Sequence, residues 1–196
     1  MADTYHHGDL RRALLDAGAA ALAVSGVDGL SLRGLARDAG VSPAAVYHHF
    51  AGKAGLVAAL AEDALWSIDA ALAAAVEAEA DPVRRYRALG VAYVAFAVDH
   101  PERFRLAFGP TRAGGFAGMA ETGGPLPAER PAFRQLVRVV QGLDPAPDDP
   151  VEVMVASWGL VHGVAMLILD GPLAAMVGGR DRLLALAGRL IDRLQV

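Results

Sequence analysis

Apolar residues recur every three or four positions along most of the chain, which is the spacing of one face of an α-helix. Ala and Leu dominate, and the alternation of β-branched and polar residues that is typical of strands is missing. A first helix is predicted over residues 8–24, and its apolar face carries Leu10, Leu14, Ala17, Ala21 and Val24. The pattern as a whole predicts an all-α protein of about nine helices.

Two short helices are predicted next, and both have recognisable ends. Ser31 is expected to cap the helix "LRGLARDAG", because a serine oxygen accepts a hydrogen bond from a free N–H group of the first turn. Gly40 is expected to end it, since glycine adopts a left-handed backbone conformation at little cost. Ser42 is expected to cap the following helix, which starts at Pro43 and ends near residue 49.

Six further helices are predicted from the same periodicity. They cover residues 53–79, residues 82–99, the stretch "HPERFRLAF", residues 129–141, residues 150–169 and the segment after "DGP". Residues 109–128 are rich in Gly and Pro and are predicted to form a long loop. Residues 153–169 are uncharged, but the run is shorter than the ~20 residues of a spanning helix. We expect a buried helix there and no membrane partner.

The composition excludes several kinds of site. The chain has no cysteine, which excludes disulfides, thiolate zinc sites and cysteine nucleophiles, and fits a reducing cytoplasm. The N-terminal stretch lacks the apolar core of a secretory signal, so a cytoplasmic protein is expected. The net charge is −4, whereas residues 1–55 carry five basic and five acidic side chains. The N-terminal part is therefore the less acidic part of the chain.

The stretch "SLRGLARDAGVSPAAVYHHF" has the order short helix, tight turn, short helix, which is the layout of a helix-turn-helix. In that motif the second helix enters the major groove of DNA. Ala44 and Ala45 keep the leading face of this helix slim, so that it can approach base edges. Tyr47 and His48 can reach phosphates or bases, and Lys53 begins the next helix, where a phosphate can bind.

A longer stretch carries a family resemblance. It reads "YHHGDLRRALLDAGAAALAVSGVDGLSLRGLARDAGVSPAAVYHHFAGKAGLVAAL" and contains "GVS…YHHF" and the lysine that opens the next helix. This stretch resembles the N-terminal DNA-binding domain of the TetR family of bacterial transcriptional regulators. The later stretch "WGLVHG", Trp158 to Gly163, resembles the TetR subgroup marked by a Trp-His-Gly pattern.

The resemblance implies a homodimer with a helix-turn-helix DNA-binding domain over residues 1–52 and a helical effector-binding and dimerisation domain over residues 53–196. It implies a double-stranded DNA operator, a small-molecule effector and no cofactor. The expected function is that of a repressor, which binds a palindromic operator and is released by an apolar or amphipathic effector. The residues expected at the DNA are Ser31, Arg33, Ser42, Pro43, Ala44, Tyr47, His48 and Lys53.

The recognition helix departs from the family's pattern in one respect. The proline and two alanines at positions 43–45 offer few hydrogen-bond donors to base edges. Sequence reading is therefore expected to rest on Arg33, Tyr47 and His48, together with contacts to thymine methyl groups and DNA shape.

Two C-terminal helices are expected to form the dimer interface. Two glycines four residues apart on one helix allow another helix to approach closely, and the last helix has an apolar stripe. Paired with their copies, these helices would form a four-helix interface. The predicted interface residues are Gly159, Gly163, Leu183, Leu186, Leu190, Ile191 and Leu194.

A second group of residues is the candidate lining of an effector cavity. Aromatic residues recur at helical spacing in the middle of the chain and again near its C-terminal part. The candidates are Tyr93, Phe96, His100, Phe104, Phe108, Met119, Trp158 and His162. The same pattern also fits an ordinary core. Trp158 and His162 share one helix face, and they either line the cavity or pack in the dimer interface.

The sequence contains no arrangement that predicts catalysis or a metal site. Ser157, His162 and Asp170 have the residue types of a hydrolytic triad, but one helix cannot converge them, since eight residues span ~12 Å of rise. We therefore expect no enzymatic activity. The alternative function is that of a helical ligand-binding or interaction protein whose helix-turn-helix no longer binds DNA, because the recognition helix is rich in alanine.

Overall fold

The computed structural model of the protein describes residues 7–109 and 131–194. Within these two ranges it contains ten α-helices and no strand, which confirms the all-α architecture. The helices are α1 (His7–Gly29), α2 (Leu32–Asp38), α3 (Pro43–His49), α4 (Gly52–Glu77), α5 (Pro82–Asp99), α6 (Pro101–Phe108), α7 (Arg134–Gln141), α8 (Pro150–Leu169), α9 (Pro172–Val177) and α10 (Arg180–Ile191).

The predicted helix starts are confirmed by their caps. The Ser31 hydroxyl oxygen accepts a hydrogen bond from the Gly34 N–H at 3.0 Å, and the Ser42 oxygen accepts one from the Ala45 N–H at 3.2 Å. Gly40 has a φ of 67°, the left-handed conformation that was expected where α2 ends. Prolines occupy the first turns of α3, α5 and α8, where an N–H has no intrahelical acceptor.

Three helix ends differ from the sequence-based prediction. Helix α1 continues past residue 24 to Gly29, and the backbone of Gly26, with a φ of 63°, kinks it on the way. The single last helix that was predicted after "DGP" is wrong, because Gly178 and Gly179 both have positive φ and separate α9 from α10. The predicted loop over residues 109–128 and the predicted helix start at residue 129 fall largely outside the described residues, and α7 begins at Arg134.

The described residues form two compact units. The first comprises residues 7–64 and 102–109, and the second comprises residues 65–101 and 131–194. The first unit therefore includes the N-terminal half of α4, which the predicted boundary at residue 52 assigns to the second domain. The reason is packing, since Leu56, Leu60 and Ala61 of α4 are buried in one core with Leu14 of α1.

The second unit is built around α5 and α8. Helix α5 packs against α8, α10 and α7, and α9 contacts α8 and α10. Gly90 lets α10 come close, since a Cβ atom at this position would lie 2.6 Å from Cδ1 of Ile191. Within the described ranges, α8 is the one helix long and apolar enough to cross a membrane. It contacts four other helices, but only 33% of its most apolar window is buried, so the buried helix expected here has one exposed side.

Candidate nucleic-acid interface and ligand pocket

Helix α3 divides into a buried and an exposed side. Val46 and Phe50, four residues apart, are almost fully buried, and α3 packs against α2. The opposite side exposes Ala44, Tyr47 and His48, and 55% of the Tyr47 surface is accessible. An aromatic side chain of this size is normally buried when it serves only packing, so its exposure at a short helix marks a contact surface.

The residues around α3 add polar groups to the same unit. Ser31 and Ser42 each use an oxygen lone pair as a helix cap, which leaves the hydroxyl proton free to be donated to an acceptor such as a phosphate. Arg33 is exposed and has no ion-pair partner within the described residues. Arg37, by contrast, is paired with Asp38 at 3.1 Å. Arg33 is therefore the better candidate for an outside contact.

Lys53 has a partner that the sequence analysis did not foresee. Its ammonium nitrogen Nζ donates a hydrogen bond to the Asp28 carbonyl oxygen at 2.9 Å. The lysine thereby ties the start of α4 to the last turn of α1. An ammonium group has three donors, so two others remain for a phosphate.

A narrow pocket lies within the second unit, between α4, α5, α7, α8 and α10. Its empty space, counted with its opening, is about 420 Å³, and its walls are mainly apolar. No charged side chain of the described residues lines it. The lining residues are Leu72, Tyr86, Leu89, Gly90, Tyr93, Ala132, Leu136, Ser157, Trp158, Val161, Ile191 and Leu194.

Two of the predicted ligand residues, Tyr93 and Trp158, line this pocket, and a third, His162, contacts Tyr93 without lining it. The Trp158 Nε1–H donates to the Tyr93 hydroxyl oxygen at 3.4 Å, and that hydroxyl lies 2.9 Å from Nδ1 of His162. Burial raises the pKa of Tyr93 well above its usual range and lowers the pKa of His162. Both groups are therefore neutral near pH 7, and the tautomer of the imidazole sets which of the two atoms donates the hydrogen bond between them.

A second polar chain at the pocket was missed by the sequence analysis. The Ser157 hydroxyl donates to the carbonyl oxygen of Val153, and the Tyr86 hydroxyl lies 2.5 Å from the Ser157 oxygen. Burial raises the pKa of Tyr86, so this phenol keeps its proton at neutral pH. Tyr86 is seven residues before Tyr93, so helical spacing could have indicated it, whereas Ser157 was considered above only as a triad residue type and has no sequence signal for a pocket position.

The other predicted ligand residues do not line this pocket. Phe96 is buried, and its ring packs at 4.8 Å against that of His100, which is exposed at the end of α5. Phe104 and Phe108 lie on α6 in the first unit, because α5 ends at Asp99 and its helical register does not continue. Met119 lies outside the described residues.

The predicted dimer residues divide into open and buried positions. A Cβ atom on Gly159 or Gly163 would meet nothing within 4 Å, so both glycines face away from the rest of their own chain. Leu186 and Leu190 are partly exposed. Leu183 and Ile191 are only 5% and 3% exposed, so the structure corrects their expected role, because they pack within their own chain and have little surface left for a partner.

Leu194, also predicted at the dimer interface, is partly exposed and lines the pocket, as does Ile191. Among the described residues, no group of three or more His, Asp or Glu side chains is arranged to hold a metal ion.

Comparison with known proteins gives the family. The family model for bacterial regulatory proteins of the tetR family matches residues 14–60, and the model for the tetracyclin repressor-like C-terminal domain matches residues 86–194. The chain belongs to the TetR family. The TetR match at the N-terminus contains α2, α3 and the start of α4, and the C-terminal match contains most of the pocket lining.

Solved structures agree with this assignment. A protein of unknown function from Rhodococcus sp. RHA1 is 37% identical, with a TM-score of 0.74 and 98% of each chain covered. A TetR-family transcriptional regulator from Pectobacterium atrosepticum shares the fold at 24% identity and a TM-score of 0.66, covering 99% of this chain and 96% of that one. The TetR-family regulator PfmR from Thermus thermophilus shares it at 21% identity and a TM-score of 0.61, covering 91% and 94%. No curated protein matches the chain.

TetR-family membership and the two matched domains support a ligand-responsive DNA-binding transcriptional regulator with a helix-turn-helix. Members of this family are typically non-enzymatic, soluble DNA-binding proteins that bind small-molecule effectors and dimerise.

Proposed function

We propose that the protein is a homodimeric transcriptional repressor, which binds a palindromic DNA operator through α3 and is released from it by a small apolar or amphipathic effector. The main support for this proposal is that α3 has one buried side and one exposed side. Its inner side is anchored by Val46 and Phe50, while Tyr47 and His48 extend outward beside the small residues Pro43 and Ala44. A helix of this shape enters a major groove without a steric clash.

The proposed DNA contacts follow from the exposed groups of this unit. Arg33 and Tyr47 have exposed polar groups that reach base edges or phosphates. Ser31 and Ser42 contribute hydroxyl protons near helix N-termini, where anions are favoured. Lys53 contributes its two remaining N–H donors while its third holds the end of α1.

The proposed dimer interface is the open side of α8. Val155, Gly159 and Leu167 are exposed along this helix, and a row of exposed apolar positions with a glycine suits the close packing of two identical helices. Leu186 and Leu190 of α10 extend the same interface. Leu183 and Ile191 do not belong to the proposal, because they are buried inside the protomer.

The effector is proposed to bind in the pocket of the second unit. The pocket has mainly apolar walls and a few hydroxyl groups, which is the usual character of a small-molecule site. Trp158 and His162 are both joined to Tyr93 at this pocket, and we assign the Trp-His-Gly segment to effector binding and the chain to the subgroup marked by that pattern. The protein is proposed to act in the cytoplasm.

The test uses a variant with Tyr47→Ala and His48→Ala, and a duplex enriched from a random library by the wild-type protein. Both side chains are exposed, so the variant is expected to fold and to lose about 10- to 100-fold in affinity by fluorescence anisotropy. Val83→Ala is the control, since Val83 is 57% exposed on α5 in the other unit. Equal affinities of the variant and the wild type would remove α3 from the DNA contact.

A further inference from the structure

The free hydrogen-bonding groups of the pocket limit what can bind there. Each of its polar side chains already has partners, and the direction of each hydrogen bond decides whether a donor or an acceptor is left over. A hydroxyl has one proton to donate and two lone pairs that accept.

The hydrogen bond between Tyr86 and Ser157 has a fixed direction. Ser157 gives its single proton to the Val153 carbonyl oxygen, which has no proton of its own. The Tyr86 hydroxyl therefore donates to the Ser157 oxygen across their 2.5 Å contact. Both hydroxyl protons are thus used, and what remains beside the pocket is lone-pair capacity on the Tyr86 and Ser157 oxygens.

The polar groups around Tyr93 are hydrogen-bonded to one another. The Tyr93 oxygen accepts from the Trp158 N–H, and the Tyr93 hydroxyl shares a second hydrogen bond with Nδ1 of His162 at 2.9 Å. The Trp158 indole has a single N–H, and Tyr93 receives it. His162 itself does not line the pocket. No charged side chain of the described residues lines the pocket, so a charged ligand would lose its hydration without gaining a counter-ion.

We infer that the effector is a small neutral molecule with an apolar body and a hydroxyl or N–H group, which it donates to the Tyr86 oxygen. A carboxylate would be an unpaired charge in this pocket. Beside Tyr86, a ketone or an ether would bring a second acceptor against an acceptor. This inference deepens the proposed function and rests on the pocket being the effector site.

The test compares probes of one shape and different polar groups. We would measure the binding of para-ethylphenol, para-ethylanisole, para-methylacetophenone and para-ethylbenzoate to the full-length protein by titration calorimetry. The phenol is expected to bind about 3- to 10-fold more tightly than the ether and the ketone, which is the effect of one neutral hydrogen bond. The benzoate is expected to bind weakest of the four.

Two variants test the direction of the hydrogen bonds. Ser157→Ala removes the acceptor of the Tyr86 proton and turns this hydroxyl into a free donor, so the ketone is expected to gain about 3- to 10-fold. The double variant Tyr86→Phe, Ser157→Ala removes both hydroxyls and is expected to bind phenol and ether equally. Circular dichroism and thermal melting of each variant show that it is folded before its affinities are compared.

The inference is overturned if the ketone or the benzoate binds the wild-type protein at least as tightly as the phenol, or if Ser157→Ala leaves the order of affinities unchanged. Release of a selected operator duplex is measured with the same probes. A phenol that binds through Tyr86 without releasing DNA supports the pocket chemistry and counts against the effector role. A ketone that binds best and releases DNA overturns the chemistry and supports that role.

Discussion

At the scale of single residues, the exposed face of α3 depends on residues that fix the backbone conformation at the start of this helix. Ser42 accepts a hydrogen bond from Ala45 and fixes where α3 begins, and Gly40 supplies the left-handed turn before it. These features could be predicted from the sequence, because a cap is decided within three or four residues. The partner of Lys53 could not be predicted, because Asp28 is 25 positions away and is near only once α1 extends to Gly29.

Substitutions of Ser42 separate its two tasks. Ser42→Ala removes the cap and is expected to lower the free energy of unfolding by about 1 kcal/mol, measured by urea denaturation. Ser42→Asp also caps a helix, so it is expected to keep the stability of the wild type. Its carboxylate would face phosphates, so it is expected to weaken DNA binding in an anisotropy titration. An alanine variant as stable as the wild type would contradict the capping role.

At the scale of helices, the residue at which a helix starts was easier to predict than which of its residues are buried against a neighbour. Proline and a preceding Asp or Ser mark the starts of α3, α5 and α8, and all three are confirmed. The stripe of α10 was misread in part, because an amphipathic pattern gives the apolar side of a helix without giving its neighbour. Ile191 packs against Gly90, a residue 101 positions earlier, and only the folded chain shows this contact. The pocket likewise has four hydroxyl or N–H groups, which come from α5 and α8. The sequence analysis indicated two of these groups, those of Tyr93 and Trp158.

The attachment of α4 to α7 in the second unit gives a prediction at this scale. Asp69 is 1% exposed and is held by Arg134 and by the Gln135 amide. Arg134 also lies over the ring of Trp66, 5.4 Å from its centre. Arg134→Ala leaves a buried carboxylate without its cation, and we expect it to lower the free energy of unfolding by about 2 kcal/mol, since water reaches the half-exposed arginine.

The matched control also removes the negative charge of Asp69. The double variant Asp69→Asn, Arg134→Ala has no unpaired buried charge, so it is expected to recover part of the lost stability in the same urea titration. A double variant less stable than Arg134→Ala would contradict this explanation, because Asn keeps an oxygen that can accept the hydrogen bond from Gln135.

At the scale of the whole molecule, the proposed function requires two copies of the chain. Val155, on the open side of α8, is 53% exposed in the protomer. Val155→Glu is expected to leave the protomer folded and to weaken the dimer at least about 100-fold, because the interface would bury two like charges. Light scattering across a dilution series measures how strongly the dimer is held together. Val83→Glu, at 57% exposure on α5, is the control and is expected to stay dimeric.

The central claim is that a dimer of this chain reads a DNA sequence through two copies of α3. The most direct test is selection from a random duplex library by the purified wild-type protein. We expect an enriched palindrome whose half-sites lie about one helical turn apart, ~34–36 Å, or a multiple of it. Recovery of no enriched sequence at low salt, by a protein shown to be folded and dimeric, would contradict the central claim and would favour a helical ligand-binding protein that no longer binds DNA.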